Sequence, residues 1–322
     1  MKKKYILKKI FQSALTIFFV IIFNYFLFRI MPGDPLAMIM RNPKASAEVV
    51  EKTKELFGLG QSWYIQFFIY FKNLLTGDLG LSFQYKKPVI EIIIQKIIPT
   101  VVMVGLAEIL AIIIGMLLGV ISAWKRGTKI DVIALSFSLI TYSMPTFWLG
   151  IILISIFSIS LRLFPTSGMF TPGKTFYSTI MLIKDGASHL FLPVLALSLV
   201  LIGEYAITMR NTLLDVLTED YMTTVKAKGF DDNYIIKKHA IPNAMLPMIT
   251  IIAINLGLTI GGTIQIETIF SWPGIGRLMY EALNNRDYPM LQGIFLLITI
   301  SVILANLIAD IMYSYLDPRV KS

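Results

Sequence analysis

Six long, mostly apolar stretches restrict what this chain can fold into more than any other feature. They run approximately over residues 6–30, 99–123, 131–160, 189–212, 245–270 and 288–315. A helix needs about 20 mostly apolar residues to cross the hydrocarbon core of a bilayer. In lipid, a helix satisfies its own backbone donors and acceptors, which an irregular segment cannot do. Composition agrees: 56% of the 322 residues are hydrophobic and mean hydropathy is +0.71. Charged residues make up 15%, against about 25% in soluble domains. The expected class is all-α, a polytopic membrane protein with six transmembrane helices in one domain, 1–322.

Lysine and arginine in the short connections set the expected direction. Lys2, Lys3, Lys4, Lys8 and Lys9 open the chain, and Lys125, Arg126 and Lys129 follow the second span. Lys226, Lys228, Lys237 and Lys238 follow the fourth, and Arg319 and Lys321 close the tail. With six spans all four groups share one side, which the positive-inside rule makes cytoplasmic. The expectation is a multi-pass protein with both termini in the cytoplasm. The basic start and apolar run resemble a signal peptide. The run is too long for one, however, and Met31-Pro32-Gly33-Asp34-Pro35 follows it in place of a small-residue cleavage site, so the first span is read as uncleaved.

The sequence excludes several chemistries. It has no cysteine, and its two histidines, His189 and His239, are far apart, so a zinc site of the usual ligands is not expected. No G-x-x-x-x-G-K-S/T phosphate loop occurs, and Gly274-Ile275-Gly276 lacks both a preceding strand and a third glycine. No catalytic residue, cofactor or metal is expected. The net charge of +9 sits in short loops, without the interleaved aromatics of a nucleic-acid surface. Energy must come from a partner or an ion gradient.

Between the spans, segment 31–98 is expected outside. It carries an amphipathic helix over about 62–76 (Tyr64, Phe67, Phe68, Tyr70, Phe71, Leu74, Leu75) and a second short helix over 88–97. Gly115-Met116-Leu117-Leu118-Gly119 is a small-residue packing face. Pro145 kinks the third span; with Phe147 and Trp148 it is a candidate for lining a path, since broken helices often border cavities. The loop 161–188 shows turn chemistry and no periodicity. Glu108, Glu204, Arg210, Asn306 and Asp310 fall inside spans. An unpaired acid there costs on the order of 3 kcal/mol, so these side chains are read as polar glue ahead of a proton relay. Glu267 and His189 are expected near the outer surface, solvated.

The segment 213–244 is the most informative. Leu213, Leu214, Leu217, Tyr221 and Val225 have helical spacing, Gly229 and Asp231-Asp232-Asn233 make a turn, and Tyr234, Ile235 and Ile236 lead to Pro242 at the next span. Tyr221-Met222-Thr223-Thr224-Val225-Lys226-Ala227-Lys228-Gly229 and His239-Ala240-Ile241-Pro242-Asn243-Ala244 resemble the EAA loop of permease subunits of binding-protein-dependent ABC importers, in the dipeptide, oligopeptide and nickel branch. Val225 replaces the family's usual alanine, and Thr223 stands where other branches carry glutamate. Met31–Pro35, Gly77-Asp78-Leu79-Gly80 with Ser82, Phe164–Gly168, Glu267–Gly276 and Asp317-Pro318-Arg319 match further family segments in the same order.

The resemblance implies a type I importer-like permease of a bacterial or archaeal inner membrane, with 213–244 as a cytoplasmic coupling loop. It implies Lys226, Ala227, Gly229, Phe230 and Tyr234 as ATPase-docking residues, and His239, Pro242 and Asn243 as residues that shape the loop. The implied partners are a second homologous permease, two ABC ATPases, an extracytoplasmic substrate-binding protein and the lipid bilayer. The expected cargo is peptide. The alternative reading is an ion-gradient-driven secondary transporter or channel subunit, which accounts for the intramembrane acids but not for the loop.

Overall fold

A computed structural model describes residues 2–30, 51 and 60–316. The Met31–Pro35 and Asp317–Arg319 motifs lie outside the described residues. The elements in chain order are α1 (Lys2–Ile30), α2 (Trp63–Leu75), α3 (Val89–Trp124), α4 (Lys129–Ser143), α5 (Thr146–Leu153), α6 (Thr179–Leu217), α7 (Asp220–Ala227), α8 (Asp232–Ile235), α9 (Ile241–Gly262), α10 (Ile264–Ile269), α11 (Ile275–Asn284) and α12 (Tyr288–Leu316). Wide π-type turns follow α5 (Ile154–Ser160) and α8 (Ile236–Ala240). Among the described residues five helical segments are long and apolar enough to cross a bilayer, and the bent pair α4–α5 makes up to six.

The bundle is built around α3 and α6, which run side by side in the same direction and share the most extensive contact. The glycine pair in α3 makes this possible. A Cβ at Gly115 would sit 2.8 Å from the Cβ of Tyr205, and one at Gly119 would sit 2.7 Å from that of Met209. Small residues one turn apart let the two backbones approach. The buried stripe of α6 then joins Met103, Val104 and Ala107 of α3 in the main core. At the periphery α1 packs antiparallel to α12. Lys9 meets Asp310 at 3.0 Å at the end holding the N-terminus, here the near end. At the far end Asn24 Nδ2 donates to the Gln292 carbonyl at 3.2 Å.

Several boundaries differ from the sequence expectation. The short helix expected over 88–97 does not stand alone; it is the first part of α3, which runs through Pro99. Proline removes one backbone bond there. The buried stripe is nevertheless continuous, from Ile92 and Ile93 to Thr100 and Met103, and burial outweighs the loss. At 36 residues α3 is about 54 Å long, beyond a bilayer's apolar core. Helix α6 begins at Thr179, not near 189: the Ser178 hydroxyl caps it by accepting from the Met181 amide, and Asp185 and His189 lie on its buried face. The span expected to 270 ends at Gly262, and α10 is a separate turn packed with α11. The third span is more than kinked. Helices α4 and α5 meet at 101°, with Met144 extended at ψ 130°, as the residue before a proline prefers.

Candidate functional site

The near end of the bundle carries a compact hairpin formed by α7, α8 and the turns around them. Leu213, Leu214 and Leu217, read from the sequence as part of this loop, belong to α6. After α7 the chain reverses at Gly229, whose φ of +75° falls in the left-handed region, where glycine carries no Cβ penalty. Asp231 then caps α8, its carboxylate accepting from the Asn233 amide at 3.1 Å. One face of the hairpin is seated in the core through Met222, Ile235, Ile236 and Ala240, all buried.

All five residues expected to dock, Lys226, Ala227, Gly229, Phe230 and Tyr234, are exposed on the hairpin. Phe230 and Tyr234 are 45% and 46% exposed, with ring centroids 4.9 Å apart. The His239 ring completes the stack, 6.5 Å from Phe230 and 5.8 Å from Tyr234. Asn243 braces the return, donating to the His239 carbonyl at 2.7 Å and to the Tyr221 hydroxyl at 3.1 Å. Pro242 lies exposed in the first turn of α9. Lys228, Lys237 and Lys238 are exposed in the same hairpin. A patch with two exposed aromatics and a cationic rim has the composition of a protein interface.

Pro145, Phe147 and Trp148 lie elsewhere, at the break between α4 and α5. All three are exposed, while Leu149, Gly150 and Leu153 turn inward. A Cβ at Gly150 would sit 3.2 Å from the Phe270 ring.

Glu108, Glu204 and Arg210, inside the spans, each have a polar partner. Tyr205 donates to Glu108 at 2.7 Å; Asn255 donates to Tyr205 at 3.3 Å and to Glu204 at 3.1 Å. Arg210 binds both carboxylate oxygens of Asp131, at 2.8 and 2.9 Å, and its Nε also reaches Ser122. The expectation that Glu267 and His189 are solvated is overturned: they are 0% and 5% exposed. Glu267 accepts from the Thr100 hydroxyl at 2.6 Å, the Thr263 hydroxyl at 3.0 Å and the Arg277 amide at 2.9 Å. It is enclosed because α10 and α11 fold back over the start of α3, where the Trp272 indole donates to the Pro99 carbonyl at 3.0 Å. His189 donates through Nδ1 to the Asp185 carbonyl at 2.8 Å. The Asp185 carboxylate holds Thr171 and Lys174.

Sequence reasoning missed Asp287. This fully buried carboxylate accepts from the Ser82 hydroxyl and from the amides of Phe83, Gln84 and Met290. It locks the Gly77–Ser82 motif onto the start of α12. The signal was Ser82 itself, a fixed polar member of that motif with no stated partner. Close by, Tyr85 donates to Glu281 at 2.9 Å; desolvation and that carboxylate push its phenol up to about 12, so it remains a donor.

Comparison with known proteins agrees with this architecture. Residues 115–322 match the family model described as binding-protein-dependent transport system inner membrane component, and residues 2–104 match the N-terminal model of the same membrane components. The dipeptide transport system permease protein DppB of Alkalihalophilus pseudofirmus is 37% identical, over 93% of this chain and 94% of its own length. The glutathione transport system permease protein GsiC of Escherichia coli is 34% identical, over 98% of each chain. A solved inward-facing structure of the MetNI methionine ABC transporter superposes with a TM-score of 0.56 at 17% identity, over 71% of this chain and 97% of that one, which supports the fold. Family matches along nearly the whole length, joined to a helical bundle with apolar spans, make this chain a member of the binding-protein-dependent transport system inner membrane component family.

Proposed function

We propose that this permease forms half of the translocation path of an ATP-driven peptide importer, and that its near-end hairpin docks on a cytoplasmic ATPase. The observation that carries this reading is the hairpin's exposed face. Lys226, Ala227, Gly229, Phe230 and Tyr234 are all exposed, while Met222, Ile235 and Ala240 root the hairpin in the bundle core. Such a part transmits a push without deforming. On this reading the near end and both termini are cytoplasmic, as the lysine distribution also argues. Peptide cargo follows from two relatives, one named for dipeptide and one for glutathione transport. The remaining partners are a second homologous permease, two ATPases and an extracytoplasmic binding protein.

The partnering of Glu108 and Asp310 weakens the ion-gradient alternative, since each of these two acids has a structural role. Purification of the tagged chain in mild detergent, followed by mass spectrometry, tests the proposal. Co-elution of two P-loop ATPases and a second permease is the expected result. A chain that elutes alone or as a homo-oligomer in several detergents overturns it.

A further inference from the structure

We infer that the groove between α6 and α9 lines the translocation path, and that Glu204, braced by Asn255, is the contact for a cationic group on the cargo: the ammonium of a peptide's free amino terminus. The inference rests on the peptide-import reading above for the cargo, but not for the groove.

Two independent observations point to a hydrated interior there. Glu204 lies well inside α6 and Asn255 well inside α9, and both side chains are partly exposed. A carboxylate within a span faces a protein interior or a water-filled cavity, not lipid. Glu204 has Asn255 as its side-chain partner and no ion pair among the described residues, while Arg210, two turns along α6, is committed to Asp131. The second observation is the broken span. A Cβ at Gly203 would lie 2.5 Å from the Ser138 carbonyl and 2.8 Å from the Tyr142 amide. The neighbour of Glu204 in α6 is therefore packed against the last turn of α4, where the chain leaves helical geometry at Met144 and Pro145. Non-helical backbone at membrane depth persists where it is buried in protein or borders a water-filled cavity. Glu204 and the break thus sit at one level of the bundle.

The chemistry follows from the donor inventory. The carboxylate is an acceptor with room for several donors, and an ammonium offers three. Asn255 holds one carboxylate oxygen at 3.1 Å. Behind it, Tyr205 and Glu108 form a buried hydrogen-bonded support.

The chain has no cysteine, so single cysteines report cleanly. In membranes carrying the assembled complex, N255C and E204C are treated with a membrane-impermeant thiol reagent, with F19C on the exposed side of the peripheral α1 as the lipid-facing control. Modification of both groove positions about tenfold faster than the control is expected for a hydrated path; rates equal to the control overturn the groove. In reconstituted complex, E204Q is expected to lower uptake of a free-amine dipeptide about tenfold while E204D retains most of it, as a charge contact requires. Unchanged uptake by E204Q overturns the cargo contact. If the unmutated complex imports no peptide, the peptide-import reading is what fails, and the cysteine labelling still decides the groove.

Discussion

At the scale of single residues, the most constrained position is Glu267. Its carboxylate takes three donors in a site with no exposure, and Gly274 passes so close that an added Cβ would fall on it. G274A is therefore expected to lower the melting temperature of the detergent-solubilised protein. The cost is about 1–3 kcal/mol, that of leaving a buried polar group badly paired. A melting temperature equal to that of the parent would show that the site relaxes freely. Gly229 is constrained by conformation instead: G229V places a β-branched residue at φ +75°, at about 1–3 kcal/mol. It is expected to reduce ATPase co-purification and uptake while the apolar core stays intact, which a pull-down and a thermal melt read separately. The hairpin that carries Lys226, Ala227, Gly229, Phe230 and Tyr234 was legible in the sequence because it is local: a helix, a glycine and a capped turn within residues 220–235. Glu267 and His189 were misread for the opposite reason. Their burial comes from α10 and α11 folding over α3, and from Asp185 holding Thr171 and Lys174, contacts that no periodicity encodes.

At the scale of elements, the sequence located the spans by hydropathy and misplaced their ends wherever amphipathic turns extend a helix past the apolar run. Helix α3 starts at Val89 and α6 at Thr179 because buried stripes continue beyond the span. Pro99 and Pro145 show why a residue type alone does not set the outcome. Pro99 is passed through, since Ile92, Ile93, Thr100 and Met103 bury one stripe on both sides of it. Pro145 ends a helix, with Met144 extended before it and the axis turning through 101°. P145A removes the steric bar on a helical Met144. The expected outcome is a straighter α4–α5 segment with stability near that of the parent and a clear loss of uptake. A variant that transports normally would show that the break is maintained by packing alone and that proline is dispensable to it.

At the scale of the whole molecule, α6 is the strut connecting the near-end hairpin to the level of the broken span. Its 39 residues carry Glu204, then Arg210, and end at Leu217 three residues before α7 begins. Arg210 pins this strut to the first turn of α4 by a two-point contact with Asp131, which also accepts from the Gly127 amide at 3.0 Å and the Ser122 hydroxyl. Both partners are largely shielded, with side chains 15% and 7% exposed. Removing one leaves the other as an uncompensated charge, at about 3–5 kcal/mol. D131A is therefore expected to melt earlier and to import poorly. The informative variant is the exchange of the two residues, D131R with R210D, which restores opposite charges in reversed positions. If the pair serves only to hold the fold, the exchange recovers melting temperature and uptake together. If the strut must move as one body with the hairpin, the exchange recovers the melting temperature but not the peptide carried per ATP hydrolysed. The two-point geometry depends on a guanidinium projecting from α6 toward the first turn of α4, and the exchange reverses that direction.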